Sequence, residues 1–238
     1  MISVILTGHK ESKNSFFWRN LEALKNLPYC QVIVVLEEHD PETFQKIEGH
    51  KTIELYSIRS NNRAKRINHG IEKATHSKII ILHPRSFLSP EAYSAIENLN
   101  QDVAWGAFTH KFDESHPILK FTSFYSNQVR LKYGKIAYLD HCFFINRDHI
   151  PDELLKVPEA EIFEDTLYSQ QLSKVGPPKL FEFDSITSSI RFKKNGVLFQ
   201  VLMNQCLKIG FHLGLSDQTM NKIYEKGLSL NSKYQKKD

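Results

Sequence analysis

Short β-rich apolar runs and amphipathic stretches alternate through the first part of the chain. Ile2–Leu6 is a buried-strand pattern that breaks at Thr7-Gly8-His9, a strand-to-loop transition. Asn14–Leu27 has helical spacing and stops at Pro28. The rhythm repeats: a strand at Gln31–Leu36, a helix at Pro41–Glu48, a strand at Ile53–Ser57, a helix at Arg63–Thr75 and a strand at Lys78–Leu82. Strands alternating with helices at this spacing predict an α/β fold with a mainly parallel sheet flanked by helices. Ligands of such sheets bind beyond the carboxyl ends of the strands, which directs attention to the loops after Leu6, Leu36, Ser57 and Leu82.

After position 100 the rhythm changes. Val103–Phe112 and His141–Asn146 read as strands, with one long helix, Pro117–Lys132, between them. Phe163–Ser173 reads as a helix that opens on Glu164 and Asp165, and Asn195–Leu215 as an amphipathic segment with few charges. No internal repeat or low-complexity linker divides the chain. The reading is a domain over 1–194, a helical segment over 195–230 that packs on it or meets a membrane, and a disordered tail over 231–238.

Composition adjusts this picture only slightly. Of 238 residues, 41% are hydrophobic, enough for a real core, and the formal charge is +4 from 31 basic and 27 acidic residues. That mild excess suits phosphates or lipid headgroups, and no nucleic-acid-binding signature accompanies it. The three cysteines, Cys30, Cys142 and Cys206, are too few and too scattered for a disulfide framework, so a reduced compartment is expected. Cys142 lies in an apolar run and reads as a buried structural thiol. The opening Met-Ile-Ser-Val-Ile-Leu reads as a strand rather than a signal peptide, and no apolar stretch reaches the ~20 residues that span a bilayer. The expectation is a cytoplasmic chain, either soluble or peripheral at the inner face of the membrane.

Several motifs follow one another in a telling order. Ile2-Ser3-Val4-Ile5-Leu6 with Glu11 resembles the opening strand and acidic loop of family-two glycosyltransferases. Asn62-Arg63-Ala64-Lys65-Arg66-Ile67-Asn68-His69-Gly70 resembles their G-R-A-x-Q-x-N-x-G helix start. Ile79–Ser86 stands where the subgroup near radical-SAM/selenodomain proteins reads I-L-F-L-H-A-D-T. Trp105-Gly106-Ala107-Phe108 with Phe112 resembles G-A-F-x-x-x-F, and Tyr138-Leu139-Asp140-His141 resembles Y-G-D-Q. Glu164-Asp165-Thr166-Leu167 resembles E-D-x-x-L, and Thr187–Leu215 resembles the closing S-x-R-x-x-x-x-G, apolar helix and L-G-x-S. The resemblance covers nearly the whole chain.

It implies a GT-A (Rossmann-like) fold, a UDP-sugar or similar nucleoside-diphosphate sugar as partner, and inverting transfer to a hydroxyl acceptor. Carried over, Asp165 is the catalytic base, which has to sit within reach of the acceptor proton. Read locally, the same residue is a first-turn carboxylate favoured by the helix dipole. Thr7, Glu11, Arg63, Asn68, Arg85 and Asp140 would line the donor site, with Glu164 and His141 on the acceptor side. The family's metal-binding aspartate is replaced by Arg85. A guanidinium repels a cation but holds phosphate oxygens bidentately, which argues against Mg²⁺ or Mn²⁺ as a cofactor. Arg85 then either substitutes for the metal, marks a decayed site, or is a solvated loop residue. The rival to an enzyme is a catalytically inactive GT-A-fold nucleotide-binding or interaction module. The Val197–Leu215 segment, with Arg191, Lys193, Lys194 and Lys208 about it, adds a membrane surface and a lipid-linked acceptor as further candidate partners.

Overall fold

The computed structural model describes residues 1–99 and 102–226. Eight strands form one sheet: β1 (Ile2–Gly8), β2 (Cys30–Glu37), β3 (Ile53–Ile58), β4 (Lys78–Leu82), β5 (Ser86–Leu88), β6 (Trp105–Phe112), β7 (Phe143–Asn146) and β8 (Lys179–Thr187). Their order is β3-β2-β1-β4-β7-β6-β8-β5. The first four strands are all parallel. β7 then enters antiparallel to both β4 and β6, β8 runs parallel to β6, and β5 closes the edge antiparallel to β8. The parallel expectation therefore describes the first half of the sheet, while the second half is mixed.

Alternation along the strands makes two cores. Ile2, Val4 and Leu6 of β1 share one face with Val32, Val34 and Leu36 of β2; Ile5, Ile33 and Val35 point to the other. The first face is covered by α1 (Ser15–Lys25) through Phe17, Leu21 and Leu24, and by α4 (Pro90–Glu97) through Ala92, Tyr93 and Ile96. A helix between them in sequence, α2 (Pro41–Ile47), starts with Pro41 behind the capping Asp40. The second face is covered by α3 (Arg63–Lys73) through Ala64, Ile67 and Ile71. α3 lies so close to β1 that a Cβ at Gly70 would collide with the Ile5 side chain.

Strand β7 begins two residues later than its apolar run suggests, because Leu139–His141 winds into a 3₁₀ turn and Cys142 takes φ 56°. The long helix is present as α5 (Pro117–Phe124), but from Tyr125 to Tyr133 it widens into a π-helix. Next come the single-turn α6 (Asp152–Leu155) and α7 (Glu164–Leu172), which adds Tyr168 and Leu172 to the second core. Strands β5 and β8 and helix α4 carry no clean apolar period; Ser86, Ser185 and Thr187 are polar yet buried.

The C-terminal part is α8 (Ile190–Asn195), α9 (Val197–His212) and α10 (Asp217–Lys226), with Gly196 at φ 82° separating the first two. Helix α9 does not bury one continuous apolar stripe. Leu207 is buried, whereas Leu198 and Leu202 are 67% and 64% exposed. No helix among the described residues is long and apolar enough to cross a membrane. The tail expectation over 231–238 lies outside the described residues.

The Gly70 contact is testable. Alanine would gain about 1 kcal/mol of helix propensity but overpack a rigid strand by about 1–3 kcal/mol, so Gly70→Ala should lower the urea midpoint. A raised midpoint would show that α3 can retreat from β1.

Candidate active site

A cavity of about 500 Å³ opens at the carboxyl ends of β1 and β4, where the loops after Thr7 and His83 meet the N-terminus of α3. Thr7, Glu11, Arg63, Arg85, Asp140, His141, Glu164 and Asp165 all line it. Of the four loops singled out from the sequence, those after Leu6, Ser57 and Leu82 meet here.

Helix α3 starts behind Asn62, whose side chain accepts the Lys65 N–H at 3.2 Å. Arg63 is then a cation at a helix N-terminus, the unfavourable end of the dipole. Glu164, 2% exposed, pairs with its Nε and sits in the first turn of α7, the favourable end for an anion. Phe163, just before it, holds φ 62°. Glu164 Oε2 has no hydrogen-bond partner and is buried against the cavity.

Asp165 follows. Its Oδ2 accepts the Leu139 N–H at 3.1 Å and its Oδ1 accepts its neighbour Thr166 N–H at 2.7 Å. Burial, then the adjacent Glu164 charge, push its carboxyl above the ordinary aspartate range; Arg63 and the two N–H bonds oppose that rise without cancelling it. A carboxylate so placed is biased towards taking a proton.

The other wall is built around Asp140. Its backbone carbonyl accepts three hydroxyls, from Ser185 at 2.6 Å, Ser86 at 3.1 Å and Thr187 at 3.2 Å, which explains the buried polar residues of β5 and β8. Burial raises its carboxyl, but His83 and His110 with Arg191 and Arg63 outweigh burial and hold it below the ordinary value. His83 Nδ1 lies 3.3 Å from Asp140 Oδ1 and accepts the Arg85 N–H at 3.3 Å. Burial pushes the His83 ring down to about 3, against the opposing pull of Asp140, so it is neutral at pH 7.

The Arg85 loop is pinned at several points. The Asn14 amide donates to Pro84 O at 2.8 Å and to Glu11 at 2.6 Å, and Ser188 N–H donates to Arg85 O at 2.9 Å. The Arg85 side chain is half-buried and pairs with no carboxylate among the described residues. Burial pushes the Glu11 carboxyl up from its usual value, with Arg85 opposing.

Two motif residues spend their polar atoms on the protein itself. Asn68 makes a reciprocal pair with the Val157 backbone, 2.9 Å to its O and 2.8 Å from its N, and does not line the cavity. His141 is fully buried between Phe108 O at 3.0 Å and Ser126 Oγ at 2.8 Å, and burial drives it down to about 3. It is a neutral ring whose nitrogens are both used internally, so its contribution is to the wall. Cys142 is buried and its thiol is pushed up to about 11, in keeping with a structural role. Arg191, Arg66, Arg130 and Lys208 also line the cavity and were not singled out as site residues by sequence reasoning. For Arg191 a signal existed, since it is the arginine of Ser189-Ile190-Arg191.

No family model and no curated protein sequence matches this chain. Solved structures do. S. aureus TarS 1-349 aligns at TM-score 0.59 and 12% identity over 95% of this chain and 70% of that one. The mannosyltransferase PcManGT from Pyrobaculum calidifontis, in complex with GDP-Man and Mn²⁺, gives 0.56 and 14% over 93% and 67%. Glucosyl-3-phosphoglycerate synthase from Mycobacterium tuberculosis, with Mn²⁺, UDP and phosphoglyceric acid, gives 0.53 and 10% over 79% and 69%. The fold is that of the GT-A glycosyltransferases.

A divalent ion at a diphosphate site takes its hard donors from one or two carboxylates together with the phosphates themselves. Among the described residues no three His, Cys, Asp or Glu side chains group to hold a metal. His83 and Asp140 supply two donors, with Arg63, Arg85 and Arg191 in the same cavity.

The Arg63–Glu164 pair should be structural as well as electrostatic. Arg63→Ala leaves a buried carboxylate without its cation. A loss of about 2–3 kcal/mol is expected in urea unfolding, below the range for a fully buried pair because Arg63 is 34% exposed. An unchanged midpoint would mean that water reaches Glu164.

Proposed function

We propose that this chain is an inverting glycosyltransferase of the subgroup that resembles the radical-SAM/selenodomain-associated enzymes. It moves a sugar from a nucleoside-diphosphate sugar to a hydroxyl acceptor without a metal ion. The observation that carries the reading is that one cavity brings together a carboxylate biased towards proton uptake, Asp165, and a guanidinium that pairs with no carboxylate among the described residues, Arg85. TarS has been solved with UDP-GlcNAc and with UDP, which favours a UDP-sugar as donor.

In this mechanism Asp165 takes the acceptor's hydroxyl proton while that oxygen attacks the anomeric carbon. The bond from that carbon to the diphosphate breaks on the opposite face, and the diphosphate leaves with the electron pair. Arg85, aided by Arg191 and Arg63, holds the developing charge in bidentate hydrogen bonds. Thr7 and Glu11 line the nucleotide end, and Asp140 faces the sugar and diphosphate.

A second reading, a non-catalytic nucleotide-binding module, draws on the fact that both Asp165 oxygens already accept backbone N–H groups. Oδ1 also accepts the Thr166 hydroxyl at 3.4 Å, but Oδ2 accepts only the Leu139 N–H and keeps a lone pair for the base role.

Calorimetry separates these readings. UDP should bind with or without EDTA, and Arg85→Ala should weaken it by about 1.5–3 kcal/mol. Failure to bind in either condition would leave the decayed-site account of Arg85, and a requirement for Mn²⁺ would contradict the arginine account. Asp165→Asn should abolish turnover while leaving UDP affinity intact. Because the base has to be ionised and its carboxyl is raised, turnover should fall on acidification at a higher pH than for an ordinary aspartate.

We place the protein at the cytoplasmic face of a membrane. Support comes from the exposed Leu198 and Leu202 of α9, from Leu213 just after it, and from Phe121 and Phe124 of α5. Co-sedimentation with anionic liposomes should decline as salt rises. Protein that stays in the supernatant at low salt would remove the membrane from the proposal.

A further inference from the structure

A second cationic group lies in the same cavity, apart from the arginines around Asp140. Arg130, in the π-helical segment, stands with Cζ 4.3 Å from the centroid of the Tyr138 ring; Lys208 of α9 stands with Nζ 5.7 Å from it. Neither pairs with a carboxylate among the described residues, and the buried Arg130 Nε has no hydrogen-bond partner. The ring attracts both cations without neutralising either. Burial, then Arg130, push the Lys208 ammonium down to about 8. Two like charges held together and half shielded from water are an arrangement that an anion completes.

Their surroundings narrow the ligand further. No aspartate or glutamate occurs between Ser115 and Leu139 or between Ser185 and Ser216, while each stretch holds four basic residues. These are the segments that supply α5, the π-helix, α8 and α9. The cavity lining here is mixed: α5 and the π-helix give Ile118, Phe121 and Tyr125 with Thr122 and Ser126, and α9 gives Val201 and Leu207 among the amides of Gln200, Asn204 and Gln205. Phe121 is 66% exposed, so this wall continues onto the surface. Asp165, held by the Leu139 N–H and beside the Arg63–Glu164 pair, lies between the two cationic groups. A nine-residue π-helix is rare, and such widened turns gather at functional sites.

We infer that Arg130 and Lys208 form a subsite for a phosphate-type anion carried by an apolar-tailed acceptor, the tail leaving between α5 and α9. The word acceptor rests on the glycosyltransferase reading; the anion subsite does not. The acceptor enters with its anion on the Tyr138 side and its hydroxyl towards Asp165, opposite the donor phosphates.

The test titrates the full chain by calorimetry, without nucleotide, with decyl phosphate below its micelle concentration, inorganic phosphate and decanol. Decyl phosphate should bind, with affinity falling at least tenfold in Arg130→Gln and in Lys208→Gln. Arg130→Lys should keep most of the affinity, and UDP affinity should stay within twofold in all three variants. Thermal melting checks that each variant is folded. Decyl phosphate binding that ignores both Gln variants overturns the subsite. Decanol binding equally well removes the anion from the proposal, and inorganic phosphate binding equally well removes the tail. UDP failing to bind the unmodified protein would sink the glycosyltransferase reading alone. Self-association that buries the same α5–α9 gap, seen by sedimentation and abolished by Phe121→Ser, would assign that gap to a second copy and overturn the inference.

Discussion

The ion pair between Arg63 and Glu164 is the constraint from which the site hangs. It joins the first turn of α3, at the edge of the parallel half of the sheet, to the first turn of α7, which follows the mixed half. Each residue alone would be costly: a cation at a helix N-terminus and a carboxylate only 2% exposed. Together they satisfy one another and bring Asp165 into a cavity otherwise dominated by arginines. The raised carboxyl of Asp165 follows from this placement, because the anion that anchors α7 is its immediate neighbour.

Cationic side chains set the chemistry of the cavity. Arg63, Arg85 and Arg191 stand about Asp140 and His83, and Arg130 and Lys208 flank Tyr138. Guanidinium groups thus line the cavity beside His83 and Asp140. Asp140 stands among them, its carbonyl tied by hydroxyls and its carboxyl lowered by His83 and His110 with Arg191 and Arg63.

Legibility in the sequence tracked how strongly burial imprints a period. Strands β1, β2 and β4 are buried on both faces and read as unbroken apolar runs, so the parallel half was plain. Strand β8 mixes half-exposed apolar residues with the buried Ser185 and Thr187, whose purpose is a carbonyl far off in sequence; no period records that. In the site, ordered motifs pointed to Arg63, Arg85, Asp140, Glu164 and Asp165, all of which meet. Asn68 lies away from the cavity, bonded to the Val157 backbone, and His141 lines it with both ring nitrogens already bonded within the protein. Arg130 and Lys208 were beyond reach, since an isolated cation on an amphipathic helix reads as solvated until its neighbours are known.

The bonds around Pro84 and Arg85 bear on how a ligand would be received. Asn14 holds Pro84 O, Ser188 N–H holds Arg85 O, and Ser86 N–H holds His83 O at 3.0 Å. The backbone beneath the guanidinium is therefore set before anything arrives, and only side-chain rotors remain to be ordered, at roughly 0.5–1.5 kcal/mol each. This is preorganisation of the anion pocket: the entropy of shaping the loop is spent during folding, and the encounter with a ligand needs no closing movement there.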